Sequence, residues 1–149
     1  MKNPVTDICD LNRELPPDAP DAPQWLVDAL QVPREEGWVN SDGCDVHYFR
    51  WGDPVNPPLL LMHGFLAHAR CMAFIAPFLA EQYHVVAYDL SGMGDSGVRS
   101  SYPDAVRVQE VVDVARETGL FDHAIKPIVI AHSYGCLLYT SDAADDLGR

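Results

Sequence analysis

The residue with the clearest chemical potential in this chain is a serine near its C-terminal end. Ser133 follows the apolar run Ile128–Ala131 in the pattern Ala-x-Ser-x-Gly, which ends at Gly135. A serine on a sharp strand-to-helix turn presents its hydroxyl to solvent, and the turn needs small neighbours because it packs closely against backbone. A serine hydroxyl becomes a good nucleophile once a base accepts its proton. The pattern indicates nucleophilic catalysis; on its own it also fits an ordinary strand-to-helix junction.

Two further loops follow apolar runs in the same way. His63–Leu66 comes directly after Leu59–Met62, and the glycine-rich segment Ser91–Gly97 comes after His84–Asp89. Ligands gather in the loops at the carboxyl ends of parallel strands, so we expect these loops to lie beside the serine. The glycines of Ser91–Gly97 could cradle a phosphate, but neither a Gly-Lys-Ser nor a dinucleotide fingerprint follows them. We interpret this loop as scaffolding, with Asp89 and Asp95 structural or solvated.

The strands that carry these loops can be predicted from their hydrophobic patterns. Gly37–Asn40 and Asp45–Trp51 flank an Asp-Gly turn signal at Asp42, which predicts an antiparallel hairpin. In the second of these strands, Val46 and Tyr48 should face one side of the sheet. The apolar runs that end at the three loops do not alternate, which is typical of parallel strands buried on both faces.

Helices are predicted between the parallel strands. Residues 69–82 show helical spacing, and Pro77 should separate a short turn from the helix proper. The expected apolar face consists of Cys71, Phe74, Ile75, Phe78 and Leu79. A second helix should begin at Asp104, which we expect to cap it, and end at Gly119. Its expected stripe is Val108, Val111, Val112 and Ala115. The order strand, helix, strand, helix, strand predicts an α/β fold.

The composition bears on partners and location. The net charge of −12 speaks against nucleic acid, because phosphate backbones recruit Lys and Arg. The apolar runs are far shorter than the roughly 20 residues of a membrane-spanning helix, and the N-terminus lacks a signal-peptide core. The four cysteines show no CxxC spacing. We therefore expect a cytoplasmic protein with reduced thiols, no metal, no cofactor and a small-molecule substrate; its oligomeric state is left open.

Taken together, the three loops resemble those of the α/β-hydrolase family, in its branch with a His-Gly-x oxyanion loop. The serine loop matches Gly-x-Ser-x-Gly with Ala131 in the first place, and Asp89–Ser96 matches Asp-x-x-Gly-x-Gly-x-Ser. The resemblance spans residues 35–138. It implies the N-terminal half of the family's sheet, with an antiparallel hairpin start, then parallel strands with helices on both faces, truncated after the nucleophile elbow.

The resemblance also implies roles for individual residues. Ser133 would be the nucleophile, and the backbone N–H groups of Phe65 and Tyr134 would form the oxyanion hole. Each such donor is typically worth about 10²–10³ in rate. The residues that support the motifs are His63, Gly64, His132 and Gly135. Of these, His63 would shape its loop rather than react.

Two partners of the nucleophile are expected to be missing. In this family the acid and the histidine follow the serine along the chain. No histidine follows Ser133, and Asp142, Asp145 and Asp146 come too soon to occupy the acid's place after a later strand. By the resemblance, the triad of this chain is therefore incomplete, and we expect the fragment to be inactive.

The chain divides into three parts. We expect a Pro-rich arm over residues 1–34, pinned by an amphipathic turn at Trp25–Leu30, then half of a hydrolase domain over 35–138. The tail at 139–149 resembles translated adapter read-through at the end of a gene fragment; a native tail is the alternative. In the family the strand Ile128–Ala131 lies inside the sheet. Here it would form an apolar edge, so we expect poor solubility.

These predictions together indicate a fragment of a serine hydrolase that acts on esters or related acyl compounds. Relatives that open epoxides or carbon–halogen bonds with an aspartate nucleophile are disfavoured by the serine. The reaction subclass stays open among esterase, C–C hydrolase, lactonase, haloperoxidase-like and acyltransferase activities. The alternative is a non-catalytic member of the fold that binds a ligand or a partner.

Overall fold

The computed structural model describes residues 22–140, which contain one mixed five-stranded sheet. The strands are β1 (Glu35–Ser41), β2 (Cys44–Trp51), β3 (Pro58–Met62), β4 (His84–Tyr88) and β5 (Ile128–Ala131). Their spatial order is β1-β2-β4-β3-β5. β2 pairs antiparallel with β1 and β4, and β3 pairs parallel with β4 and β5. The predicted hairpin start and the predicted parallel strands are both confirmed.

The hairpin turn has the backbone geometry that its sequence predicts. Asp42 and Gly43 have φ values of +45° and +76°, as a two-residue type I′ turn requires. The Asn40 side chain accepts a hydrogen bond from the Gly43 N–H (3.1 Å) and donates one to the Asp45 carboxylate (2.9 Å). The register fixed by this turn places alternate residues of β2 on opposite faces of the sheet.

β3 and β4 are buried over their whole lengths because helices cover both faces of the sheet. The first hydrophobic core receives Val46, Tyr48, Leu60, Met62, Val86 and Tyr88 from the strands. The second core, on the opposite face, receives Phe49, Trp51, Leu59, Leu61, Val85 and Ala87. These two sets explain why the strand sequences are apolar without alternation.

Within residues 22–140, four α-helices and one short 3₁₀ helix flank the sheet. They are α1 (Gln24–Gln31), α2 (Ala76–Ala80), α3 (Asp104–Glu117), α4 (Tyr134–Thr140) and the 3₁₀ helix Ala69–Met72. α3 and α4 contribute to the first core, whereas the 3₁₀ helix and α2 contribute to the second. Helices therefore cover both faces, as predicted. None of the helices within residues 22–140 is long and apolar enough to cross a membrane.

α3 has the predicted stripe but a different N-terminus. Val108, Val111, Val112 and Ala115 are all buried. The prediction that Asp104 caps the helix is wrong, because Pro103 occupies the N-cap position and no side chain caps it. The carbonyl of Pro103 already accepts from the N–H groups of Val106 and Arg107. At the other end, Gly119 (φ +76°) closes the helix as predicted, in a Schellman arrangement.

The segment at residues 69–82 differs from its prediction. Phe74, Ile75 and Phe78 are 40–50% exposed, so they do not form a buried face. The second core instead receives the small residues Ala69, Ala73 and Ala76, which let this segment approach the sheet closely. Pro77 lies in the first turn of α2, where its missing N–H costs nothing. The expected break into a short turn and a helix is confirmed.

The two ends of the chain are described only in part. The helix expected at Trp25–Leu30 is present as α1, and the Trp25 ring contacts the ring of Phe78 at 6.3 Å between centroids. The rest of the predicted arm and residues 141–149 of the predicted tail lie outside the described residues. Within 22–140, β5 is an outermost strand, and its Ile128 and Ile130 are 44% and 45% exposed. Poor solubility stays a prediction.

Candidate active site

Three loops meet at the carboxyl edge of the parallel strands, as expected. The register pairs Met62 of β3 with Tyr88 of β4 and with Ala131 of β5, so the three loops begin at the same level. The N–H of His132 donates to the carbonyl of Met62 at 2.9 Å, which extends this pairing to the residue before the serine. The three predicted motifs therefore lie side by side at one edge of the sheet.

Ser133 lies on a strained turn and is exposed. Its φ of +52° falls in the left-handed region, which a residue with a Cβ rarely adopts. Its carbonyl accepts the N–H of Cys136 at 2.9 Å, so α4 begins immediately after it. Among residues 22–140, the Ser133 hydroxyl makes no hydrogen bond with a histidine or a carboxylate. The structure thus presents this hydroxyl to solvent at the sheet edge.

Gly135 allows α4 to pack against the end of β3. A Cβ at this position would lie 3.0 Å from the carbonyl oxygen of His63 and 3.0 Å from Met62 Cβ. Contacts this short leave no room for a larger residue unless the turn moves. Ala131, at the other small position of the motif, is half-buried at the end of β5. The small residues of the serine motif are therefore explained by close packing.

Gly64 allows the loop after β3 to approach the serine turn. A Cβ on Gly64 would lie 2.9 Å from His132 Nδ1 and 3.1 Å from Ser133 Cβ. A hydrogen bond from the Ala67 N–H to the Gly64 carbonyl (3.2 Å) closes a tight turn, in which Leu66 has a φ of +59°. No pattern in the sequence indicated the left-handed backbone conformation of Leu66. The His132 ring packs against Gly64.

Two backbone N–H groups beside Ser133 have no partner within the described part of the chain. They belong to Phe65, which is 64% exposed, and to Tyr134, the first residue of α4. The rings of these two residues contact each other at 5.9 Å between centroids, which brings their loops together. Unpaired amides at adjoining turns are the donors that an oxyanion hole requires.

His63 holds the loop after β3 with both of its ring nitrogens. Nδ1 lies 2.7 Å from the carbonyl oxygen of Gly64, and Nε2 accepts the Leu90 N–H at 3.1 Å. A carbonyl can only accept and an amide can only donate, so the ring is neutral with its proton on Nδ1. Burial lowers the pKa of His63, which favours the same neutral form. His63 therefore ties the oxyanion loop to the end of β4.

Asp89 organises the loop after β4 rather than reacting. Its carboxylate is fully buried and accepts from the N–H groups of Ala69 (2.5 Å) and Asp95 (3.0 Å) and from His47 Nδ1 (2.7 Å). Burial alone raises the pKa of Asp89, but the hydrogen bond and charge of His47, with the two amides, hold it below its usual value. Gly94 packs against this carboxylate, where a Cβ would clash. The structural interpretation of Asp89 is thus confirmed.

A buried ionic group braces the same loop from α3. Arg107 donates to the carbonyl of Ser91 at 2.6 Å, and Glu110 accepts the Ser91 N–H at 3.2 Å. Arg99 donates to Glu110 at 2.9 Å and to the carbonyl of Ser41 at 2.5 Å. Sequence reasoning missed these residues. The available signal was that Arg107 and Glu110 occupy stripe positions of a buried helix.

One set of three potential metal ligands occurs within residues 22–140, close to this loop. Oxygen atoms of Glu36 and Asp95 and a ring nitrogen of His47 lie within 4.8 Å of one another. Arg70 pairs with both carboxylates, and the two ring nitrogens of His47 lie 2.9 Å from Glu36 Oε1 and 2.7 Å from Asp89 Oδ2. Because cationic and hydrogen-bonding partners already satisfy these groups, we assign no metal here.

Comparison with known proteins places these features in a family. A family model described as the alpha/beta hydrolase family matches residues 59–146. An uncharacterised hydrolase of Saccharomyces cerevisiae is 38% identical over 62 residues, which cover 42% of this chain and 21% of that protein. Epoxide hydrolase A of Mycobacterium tuberculosis is 32% identical over 110 residues, covering 69% of this chain and 32% of the relative.

Solved structures support the same assignment. The thioesterase domain from the curacin biosynthetic pathway superposes with a TM-score of 0.67 at 28% identity, over 76% of this chain and 40% of that one. The chain thus spans less than half the length of each of these three proteins. The strand order, the three loops and the family match lead to one conclusion: the chain belongs to the alpha/beta hydrolase family.

Proposed function

We propose that Ser133 is the nucleophile of a hydrolase that acts on esters or related acyl compounds. One observation carries the proposal: the strained, exposed Ser133 lies directly against the Gly64 turn. Beside it are the N–H groups of Phe65 and Tyr134, which have no partner in the part of the chain that the structure describes. Backbone strain at an exposed nucleophile is typical of sites that have to present one group to a substrate. The close approach of the two turns is needed if both amides are to reach one oxygen atom.

The reaction follows from this arrangement. Ser133 Oγ attacks the carbonyl carbon of the substrate, and the carbonyl oxygen gains negative charge as the tetrahedral intermediate forms. The amides of Phe65 and Tyr134 donate hydrogen bonds to that oxygen. Because the donors are backbone groups on fixed turns, they need no reorganisation during the reaction. The intermediate collapses as the bond from the carbonyl carbon to the leaving oxygen or sulfur breaks, and the departing alcohol or thiol takes the proton that the base removed from Ser133. Water then hydrolyses the acyl-enzyme ester, which releases the acid and restores the Ser133 hydroxyl.

A serine nucleophile favours acyl substrates over epoxides, although one relative is named an epoxide hydrolase. Attack of a serine oxygen on an epoxide carbon produces an ether, which water and a general base do not cleave. Attack on an acyl carbon produces an ester, which they do cleave, so turnover is possible. The structural similarity to a thioesterase domain is consistent with acyl chemistry.

The general base and its orienting carboxylate are the finer part of the proposal. His63 cannot serve as the base, because both of its ring nitrogens are already hydrogen-bonded. We propose that a histidine and a carboxylate from the remainder of the parent domain complete the triad. Loss of the base typically costs about 10⁶ in kcat. The 149-residue chain on its own should therefore show no appreciable ester hydrolysis.

The proposal is tested with Ser133→Ala in the full-length parent protein, assayed on a series of activated acyl esters. We expect kcat to fall by about 10⁶, to the level supplied by binding and the oxyanion hole. Ser101→Ala is the matched control, because Ser101 is an exposed serine on a loop outside the site. Equal activity of wild type and Ser133→Ala would exclude the nucleophile role. Inactivity of the wild type on every ester would favour the non-catalytic alternative.

A further inference from the structure

A cavity of about 210 Å³ opens where β2 ends, at the opposite edge of the sheet from Ser133. β2 runs antiparallel to β4, and its last residue, Trp51, pairs with Val85 near the start of β4. This end of β2 therefore lies at the amino edge of the parallel strands, away from the loops proposed for the hydrolysis. The wall of the cavity includes Pro33, Arg34, Glu35, Arg50, Trp51 and Pro54.

The guanidinium of Arg34 has no acceptor, although the residue is half-buried. Within residues 22–140 it makes no hydrogen bond and no ion pair. It lies over the ring of the buried Phe49, with 4.4 Å between the guanidinium carbon and the ring centroid. That contact satisfies none of the five N–H donors of the guanidinium. Because donors that are withdrawn from water without an acceptor are costly, Arg34 offers a charged donor group to a ligand.

The charges behind Arg34 leave its positive charge uncompensated. Burial lowers the pKa of Arg34, and the charge of Arg70 acts in the same sense, whereas Glu36 acts in the opposite sense. The guanidinium nevertheless stays protonated. Glu36 has closer partners than Arg34, because its carboxylate lies 2.9 Å from His47 Nε2 and 3.9 Å from Arg70. A bound anion would offset both the burial of the Arg34 charge and its repulsion by Arg70.

The other two charged residues of the wall neutralise each other. Arg50 donates to the Glu35 carboxylate from Nε at 2.5 Å and also pairs with it through Nη2. Glu35 therefore lines the cavity without compensating Arg34. With two arginines and one glutamate in the wall, one positive charge is left over, and it belongs to Arg34. A single positive charge suits a monoanion, because a dianion would be repelled by the nearby carboxylates of Glu35 and Glu36.

The size and the remaining wall of the cavity define the ligand further. Pockets for drug-sized ligands measure about 300–1,000 Å³, so this cavity suits a smaller molecule. Pro33, Pro54 and the Trp51 ring give it an apolar side. A planar guanidinium matches the two oxygen atoms of a carboxylate. We propose that the cavity binds one small carboxylate, whose oxygen atoms accept hydrogen bonds from Arg34 and whose short hydrocarbon part contacts the apolar side.

The test is a titration of the 149-residue chain with sodium butyrate, with sodium chloride keeping the ionic strength constant. NMR follows the side-chain N–H signals of arginine and tryptophan. Because Arg34 and Trp51 line the same cavity, we expect both signals to shift saturably with one Kd, at one butyrate per chain. Butyramide, which has a similar shape and no charge, should cause no saturable shift. Inorganic phosphate should bind more weakly than butyrate, because its second charge is repelled.

Three variants complete the test, with the Trp51 signal as their readout. Arg34→Gln should raise the Kd by about 10–150-fold, the loss of a hydrogen bond to a charged group. Arg116→Gln is the matched control, because it removes the same charge from a side chain that is 67% exposed on α3, and its Kd should be unchanged.

Glu35→Gln should lower the Kd, because it removes a negative charge from the wall and releases Arg50. This variant decides the outcome should Arg34→Gln fail to fold. Weaker binding in Arg34→Gln with an unchanged Kd in Arg116→Gln supports the site, as does tighter binding in Glu35→Gln. The site is overturned by the absence of a saturable shift in wild type, by tighter binding of phosphate than of butyrate, or by equal effects of Arg34→Gln and Arg116→Gln.

Discussion

Two buried histidines at opposite edges of the sheet differ in how their ring nitrogens are satisfied. His63 follows β3 at the carboxyl edge, and His84 begins β4 at the amino edge; they are 2% and 1% exposed. Both nitrogens of His63 are hydrogen-bonded, whereas those of His84 have no partner in residues 22–140. Burial lowers the pKa of each ring. Hydrogen bonding, rather than burial, therefore distinguishes the two rings within the described residues.

The difference also teaches how the two edges are built. At the carboxyl edge, His63 fixes the turn that contains Gly64, and that turn packs against Ser133. Both ring nitrogens of His63 are hydrogen-bonded, and the amides proposed for an oxyanion, those of Phe65 and Tyr134, have no partner within residues 22–140. At the amino edge, the ring nitrogens of His84 have no hydrogen-bond partner among the described residues. The carboxyl edge therefore suits an anionic intermediate.

The largest expected effect in this comparison comes from adding a side chain to Gly64, between the two turns at the carboxyl edge. Gly64→Ala places a Cβ 2.9 Å from His132 Nδ1 and 3.1 Å from Ser133 Cβ, so the two turns have to separate. We expect kcat of the full-length protein on an acyl ester to fall by about 10²–10³, the typical effect of losing one oxyanion donor. Steady-state kinetics on the parent enzyme measures this.

The control for that experiment is a glycine at which an added Cβ atom would contact no other residue. Gly43 lies in the hairpin turn, and no atom lies within 4 Å of a Cβ built there. Gly43→Ala strains the turn, because the φ of Gly43 is +76°, but it should leave kcat unchanged. Equal losses of activity in both glycine variants would mean that general destabilisation, rather than the position of the oxyanion donors, explains the effect of Gly64→Ala.

Removing the two imidazole rings should have a smaller effect, on the free energy of unfolding rather than on kcat. His63→Leu leaves the buried Leu90 N–H without its acceptor, which should lower the free energy of unfolding by about 1–3 kcal/mol. His84→Leu removes a buried polar group that has no hydrogen-bond partner within residues 22–140, so the free energy of unfolding should stay the same or rise. Urea denaturation of the dilute chain, followed by tryptophan fluorescence, measures both. A larger loss for His84→Leu than for His63→Leu would reverse the comparison.

The smallest expected effect concerns pH. The pKa values of His63 and His84 lie below 6.5 in the folded chain, so as the pH falls below 6.5 the unfolded chain binds protons first. The free energy of unfolding should therefore decrease from pH 7 to pH 5. His84→Leu should reduce this slope by at most about 1.4 kcal/mol per pH unit, the contribution of one proton. An identical slope in wild type, His63→Leu and His84→Leu would contradict both assignments.

Much of the fold could be predicted because its signals are local. A few neighbouring residues are enough to recognise the turn at Asp42–Gly43, the uninterrupted apolar runs of β3 and β4, and the apolar stripe of α3. The segment around Ala69–Ala80 could not be predicted in full. Its large apolar residues suggested a core face, but packing against the sheet selected the small alanines instead, and that choice depends on distant strands.

The site was partly predictable for the same reason. The serine and His-Gly motifs are short patterns, and the loops that carry them do meet at one edge. The partners of His47 could not be inferred, because Asp89 lies 42 residues away and Glu36 lies on the neighbouring strand. The lack of a partner for the His84 ring within the described residues could not be inferred either. It depends on which groups fail to reach a ring, and no local pattern records that.

The most direct test of the central claim is to locate the covalent adduct of a fluorophosphonate probe on the full-length protein by peptide mass spectrometry. A fluorophosphonate reacts with a serine that is both activated and faced by oxyanion donors. The account predicts a single phosphonylated residue, Ser133, with labelling abolished in Ser133→Ala and slowed in Gly64→Ala. Labelling at another serine, or an unlabelled Ser133 in an enzyme that hydrolyses esters, would contradict it.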